Sequence, residues 1–510
     1  MGVKLVIYQF FKNTAFLFVI ELIVRLKALI LIPLLTNHLG PSEFGVWSQV
    51  SVLVAVLSPL VTLGTDQSLI RFLPGVRIDE ARSRYSGWIV FIITTTLIFG
   101  GLQYAFRKQI SLAFFGDDPR YVPFVGLAAL SLLGMIANSA LRLWFRISNR
   151  GRAFGTVAAL QSFISLVSLL AAVLNGADPF QIISWPIYGD LFLALLLTLR
   201  LRKEQVWAMP SWEGFCQMLS FGLVVLPAGF AVWGLNYIDR IFLVRYTSIA
   251  EVGVYALAFS IASIAIQFAA GPIWTMYYTS AAELHNTERK IELQRLFDRS
   301  IEAICLVTAP LVALMIFYGK DIISLLSTST YLPGAPIMPV IALGYVLTMF
   351  SSYFETSLAL HDRARVGTIA ALAAVAIKVV LNILLIVPWG IYGAAASSIA
   401  AFSVQLGITY SACVSSGYVK LFPRYGVIAY IYAILGFSLP WVVIEYWVPE
   451  HGLIFTVLSA GFGAILYLVA ILRAGGLHPE VVNWIHSSKW EGKLNANILI
   501  IFNWIIGKQK

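Results

Sequence analysis

Apolar runs of about 20 residues recur from end to end of this 510-residue chain, with short polar segments between them. A run of that length, coiled as a helix, crosses the roughly 30 Å hydrocarbon core of a bilayer. No water reaches that core, so each crossing segment must satisfy its own backbone N–H and C=O groups, or close a barrel with others. The runs here are continuous rather than alternating, which selects the helix. Composition agrees. Charged residues make up 12% of the chain and hydrophobic ones 59%, whereas a soluble domain carries about 25% charged residues. The expected fold class is an all-α membrane protein.

Fourteen spans are expected, near 13–36, 44–64, 87–106, 121–143, 153–174, 180–200, 217–243, 252–275, 300–319, 336–358, 366–387, 391–413, 426–447 and 452–472. The first reads as a retained span, because no small-residue cleavage site follows a short apolar core. With the N-terminus placed in the cytoplasm, 26 of the 35 Lys and Arg fall in inside segments and 5 in outside segments, the other four lying within spans. That bias obeys the positive-inside rule, and one missed span would invert every later loop and erase it. Both termini are therefore expected in the cytoplasm. The net charge of +10 reads as topology and not as a sign of nucleic acid.

Residues 43–47 read Glu-Phe-Gly-Val-Trp, and residues 251–255 read Glu-Val-Gly-Val-Tyr, an offset of 251 − 43 = 208. Each opens a span, and six spans separate them, so two halves of the same orientation are expected. The implied organisation is a lobe at 1–210 (spans one to six), a second at 211–415 (spans seven to twelve), two additional spans at 416–475, and a tail at 476–510. In the tail, residues 494–506 are apolar but too short to cross, and Trp504 suits an interfacial helix. The inside segment 276–299 places Leu284, Ile291, Leu293 and Leu296 among charges, which predicts an amphipathic surface helix.

Several functions are excluded by what is missing. The three cysteines, Cys216, Cys305 and Cys413, are odd in number and widely spaced, so neither a disulfide framework nor a metal site is expected. No GxxxxGK(S/T) phosphate loop and no HExxH is present, so no ATPase or zinc hydrolase chemistry is expected, and no cofactor. Asp117 and Asp118 form an acidic pair, but they precede Pro119 in a short outside loop and read as a solvated turn. The outside loops are too short for the large chemical loop of a sugar polymerase. The chain is not expected to be an enzyme.

Charges inside the spans carry the functional expectation, since each costs about 2.5–3.5 kcal/mol at the bilayer centre. Glu21 and Arg25 are four apart in span one and share a face, whereas Lys27 lies about 200° further round. Lys378 sits mid-way along span eleven with Asn382 one turn later. It requires water, an anion or an acidic partner from another helix, and a cavity wall is the preferred reading. Asp239 and Arg240 fall late in span seven, toward the membrane edge. Asp190, mid-span in span six, can pair with a cation or take a proton, making it the candidate for ion coupling. Glu355 lies near an inner end, where its head can reach water. Cations at mid-depth in both halves suggest a positive cavity and an anionic substrate. Arg25 and Lys378 are expected to hold it.

The segments HLGPSEFGVWS (38–48), SLIRFLP (68–74), FGLVVLPAGFAVWGLNYIDRIFLVRYTSIAEVGVYALA (221–258) and LNILLIVPWGIYGAAASS (381–398) resemble, in order and spacing, the Wzx-type polysaccharide flippases. These belong to the multidrug/oligosaccharidyl-lipid/polysaccharide exporter superfamily. The resemblance covers roughly residues 10–475. It implies two six-helix lobes plus two further helices, and alternating access to a central cavity. It also implies an undecaprenyl-diphosphate-linked oligosaccharide as substrate, with membrane lipid, a polysaccharide polymerase and glycosyltransferases as partners. A drug/cation antiporter of the same fold should instead show a dominant acidic site. A peptidoglycan-precursor flippase is a further alternative.

Overall fold

The computed structural model describes residue 27 and residues 30–418, 424–447 and 452–473. These form helices α1 (30–36), α2 (Pro41–Thr62), α3 (Thr65–Phe72), α4 (Ile78–Ala105), α5 (Arg107–Phe115), α6 (Val122–Ile147), α7 (Gly151–Leu174), α8 (Pro179–Lys203) and α9 (Phe215–Tyr246). They continue with α10 (Ile249–Asn286), α11 (Lys290–Leu326), α12 (Met338–Leu360), α13 (Ala364–Ser415), α14 (Arg424–Trp447) and α15 (Leu453–Arg473). No strand occurs among the described residues.

Twelve stretches among the described residues are long and apolar enough to cross a membrane. One of them, Arg365–Ser415, holds two expected spans. A straight helix of its 51 residues would be about 77 Å long, far more than one bilayer. The chain reverses instead. Pro388 precedes Gly390, which takes φ +51°, ψ −128°, a backbone region that disfavours a side chain. Gly393 lies against the carbonyl of Leu385, eight residues back, a distance of about 12 Å along a straight helix. Every expected span from the second onward therefore has a helical counterpart. The expected first span lies mostly outside the described residues, as do Glu21, Arg25 and the whole tail at 476–510.

Large apolar side chains face outward along these helices: Leu174 is 82% exposed and Ile454 75%. Exposed apolar surface on this scale has lipid as its solvent. The chain is a multi-pass membrane protein.

The expected surface helix at 276–299 does not form as a separate element. Its first half extends α10 to Asn286, and its second half begins α11 at Lys290. The first half carries Ala281, Ala282, Glu283 and Leu284 and the second Lys290, Glu292, Leu293, Gln294, Arg295 and Leu296, good helix formers that prolong a helix already nucleated.

The described residues pack as two compact units. One holds the residues up to Leu257 with Leu326–Tyr331 and Thr368–Val404; the other holds Ala258–Leu325, Leu332–Gly367 and Gln405 onward. In the first unit, Pro41 opens α2 after the extended Gly40, the helix position that suits proline. The repeated motif accounts for a reciprocal crossing there. A Cβ on Gly45 would strike the carbonyl oxygen of Ile249, and a Cβ on Gly253 would strike that of Pro41. Both 253 − 45 and 249 − 41 equal 208, the offset read from the sequence. The starts of α2 and α10 thus meet about a local two-fold, as two halves of the same orientation should.

The turns repeat as well. Asn149 (φ +57°) and Asp362 (φ +59°) end α6 and α12 in the left-handed region that Asn and Asp tolerate. Behind them, Arg150 N–H donates to Phe145 O at 2.7 Å and Arg363 N–H to Leu358 O at 2.8 Å. The core of the first unit gathers around Tyr85, whose ring meets Trp88, Trp144 and Trp207 and whose hydroxyl donates to the carbonyl of Ala140 at 3.0 Å. In the second unit Tyr277 packs on Tyr353 with ring centroids 4.3 Å apart, and Gln405 donates to Glu355 at 2.9 Å.

Candidate functional site

Two polar features lie in the first unit. The first is a sealed cluster. Asp239 on α9 and Lys378 on the first arm of α13 are both 0% exposed, with Lys378 Nζ 3.1 Å from Asp239 Oδ2. The same oxygen accepts from the Tyr255 hydroxyl of α10 and, at 3.1 Å, from the Ser398 hydroxyl on the second arm of α13. Lys378 Nζ also donates to the carbonyl of Leu235, one turn before Asp239 on the same face of α9. One turn along from Lys378, Asn382 Oδ1 accepts from Ser397, while its Nδ2 has no hydrogen-bond partner among the described residues. Arg240 is 5% exposed; its guanidinium stands over the Tyr237 ring at 5.2 Å, and its carbonyl accepts from Gln49 Nε2 at 3.2 Å.

The preferred expectation for Lys378, a wall of a water-filled cavity, is not met in this structure. Burial demands a counter-charge, because a lone ammonium in a dry interior is too costly to keep. Asp239 supplies it. Asp239 and Arg240, expected toward the membrane edge, are both buried within the protein. Three donors converge on one carboxylate oxygen of Asp239. The cluster therefore acts as a tie between α9, α10 and both arms of α13.

Lys27 and Asp190 are both half-buried, Asp190 on α8. Asp190 Oδ1 accepts from Gln161 Nε2 of α7 at 3.2 Å, and its backbone carbonyl from Asn138 Nδ2 of α6 at 2.8 Å. Glu21 and Arg25, the remaining sequence candidates, lie outside the described residues.

The second feature was absent from the sequence candidates. A cavity of about 580 Å³ opens among α2, α3, α4, α6, α7 and α9. Its wall includes Thr62, Gln67, Trp88, Arg142, Arg146 and Phe154. The two arginines carried no functional expectation, falling at and just past the inner end of the span expected at 121–143; they occupy the last turns of α6. Their spacing of four, which puts them on one face, was the available signal.

A family model described as polysaccharide biosynthesis protein matches residues 34–336. An uncharacterised membrane protein of Methanocaldococcus jannaschii is 23% identical over 396 residues, covering 73% of this chain and 77% of the relative. Among solved structures, the lipid II flippase MurJ in an inward closed conformation superposes with a TM-score of 0.73 at 15% identity, covering 88% of this chain and 96% of that one. An inward-facing multidrug resistance transporter of the MATE family superposes at 0.60 with 14% identity, covering 78% and 94%. Both structures show the same fold as this chain. The family model spans well over half of the sequence, and the chain belongs to the polysaccharide biosynthesis protein family.

Proposed function

We propose that this chain moves an undecaprenyl-diphosphate-linked oligosaccharide from the cytoplasmic to the outer leaflet of a bacterial inner membrane by alternating access. The observation that carries this reading is the charge of the cavity. Two arginines line it against one carboxylate, that of Asp66. A site built to take cationic drugs would invert that ratio. Family membership supports the sugar-polymer context, and the apolar outer surface supports a substrate that stays in lipid while its headgroup crosses. Reaction chemistry plays no part in the proposal. The lobes are assigned as 1–210 and 211–415, and enzymes that build and polymerise the sugar are the expected partners. The experiment is transbilayer movement of such a lipid by the purified protein in liposomes. Failure to move it would remove the proposal.

The proposal also assigns the loops after Lys203 and Asn286 to the cytoplasm, with the Arg146 end of α6 on the same side. Reporter enzymes inserted at these loops should read cytoplasmic. An outside reading at either loop would contradict the orientation.

A further inference from the structure

We propose that Arg142 and Arg146 form a binding site for the diphosphate group of a lipid headgroup; the identity of that lipid rests on the transport reading above. Arg142 and Arg146 stand one turn apart on α6, and both border the cavity. Like charges at that spacing repel and destabilise a helix when nothing lies between them. Among the described residues no carboxylate stands within ion-pair distance of either. Asp66, the acidic residue on the same wall, is engaged by Gln67 Nε2 at 3.0 Å. Arg142 is half-buried, with its guanidinium over the Phe154 ring at 4.9 Å. That contact braces the guanidinium from one side.

A guanidinium braced by an aromatic ring, with a second cation one turn away, suits an anion that spans two charges. A diphosphate does so: each guanidinium can take two phosphate oxygens, and the anion converts the repulsion into attraction. The remaining wall fits what such a group carries. Ser58, Thr62, Gln67 and Ser139 offer hydroxyls and an amide to a sugar. The cavity falls within the range of volumes, about 300–1,000 Å³, that holds small ligands.

The test is equilibrium binding to purified full-length protein in nanodiscs of neutral phosphatidylcholine, with farnesyl diphosphate and inorganic pyrophosphate as separate probes. Wild type should bind farnesyl diphosphate, and Arg142→Gln with Arg146→Gln should weaken it by at least about tenfold. An equal loss for pyrophosphate assigns the site to the diphosphate itself. Loss for the prenylated probe alone assigns it to the lipid-borne group. Asp66→Asn, which removes a competing charge, should tighten both. If the paired variant does not accumulate, Arg146→Gln, at an exposed side chain, gives a smaller loss of the same sign. Undiminished binding in the variant, or no binding of either probe by wild type, overturns the site. Transport by wild type alongside undiminished binding discards the site alone and leaves the transport reading intact. Arginine-dependent binding without transport by wild type does the opposite.

Discussion

Replacing Lys378 with alanine is expected to prevent the protein from accumulating in the membrane. The substitution leaves Asp239 charged, 0% exposed and without its cation. Breaking a buried pair from one side costs about 3–5 kcal/mol, against a total stability of about 5–15 kcal/mol for a typical domain. Tyr255 and Ser398 still donate to the carboxylate, but neither brings a positive charge. Asp239→Ala should act similarly by stranding the ammonium. Combining Asp239→Asn with Lys378→Met removes both charges and should restore much of the level, because an apolar or neutral replacement of a whole buried pair is often tolerated. Immunoblots of membranes and thermal unfolding in detergent measure this. A Lys378→Ala protein with wild-type level and unfolding temperature would show that the pair does not tie these helices together.

A second large effect is expected where the repeats cross. Alanine at Gly45 or at Gly253 puts a methyl group onto a backbone carbonyl, of Ile249 in one case and of Pro41 in the other. A side chain can rotate away from a new methyl group, but a helix backbone must move as a whole. Overpacking of this kind costs about 1–3 kcal/mol. Because the two contacts are related by the 208-residue offset, the two substitutions should destabilise to a similar degree. Gly407→Ala is the control: a Cβ there meets nothing within 4 Å, and alanine favours a helix over glycine by about 1 kcal/mol. Unfolding temperatures of the three variants decide the matter. Tolerance at both crossing positions, or a strong effect at only one, would contradict the reciprocal contact.

The fold was legible because its dominant signal is one-dimensional. Apolar run length and the distribution of Lys and Arg require no knowledge of which helices touch. The repeat was legible for a related reason: Glu43–Trp47 and Glu251–Tyr255 keep the glycine that the crossing demands. Contacts between helices left a weaker trace. Lys378 announced a need for a partner, yet Asp239 lies 378 − 239 = 139 residues away. Helical spacing relates residues on one helix and is silent about the next. Asp239 was read toward an edge because it falls late in the expected span 217–243, and position along a span does not reveal the neighbouring helix. Arg142 and Arg146 were hidden because they fall at the inner end of span four, where a positive charge reads as topology. Tyr255 sat inside a motif read only as a repeat, and nothing in the spacing marks its hydroxyl as a donor to Asp239.

The central claim, transport of a lipid-linked oligosaccharide, is tested most directly in liposomes carrying the purified protein. A polyprenyl-diphosphate oligosaccharide with a reporter sugar is placed in both leaflets, and its accessibility to an impermeant lectin or sugar oxidase is followed. A lipid-linked peptidoglycan precursor and a cationic dye serve as comparisons in parallel vesicles. The account predicts that the inner-leaflet pool of the oligosaccharide becomes accessible in a protein-dependent manner, that dye is not moved, and that the Arg142→Gln, Arg146→Gln variant is slower. Movement of the dye with no movement of the lipid-linked sugar would contradict the account, and movement of the peptidoglycan precursor alone would reassign the substrate.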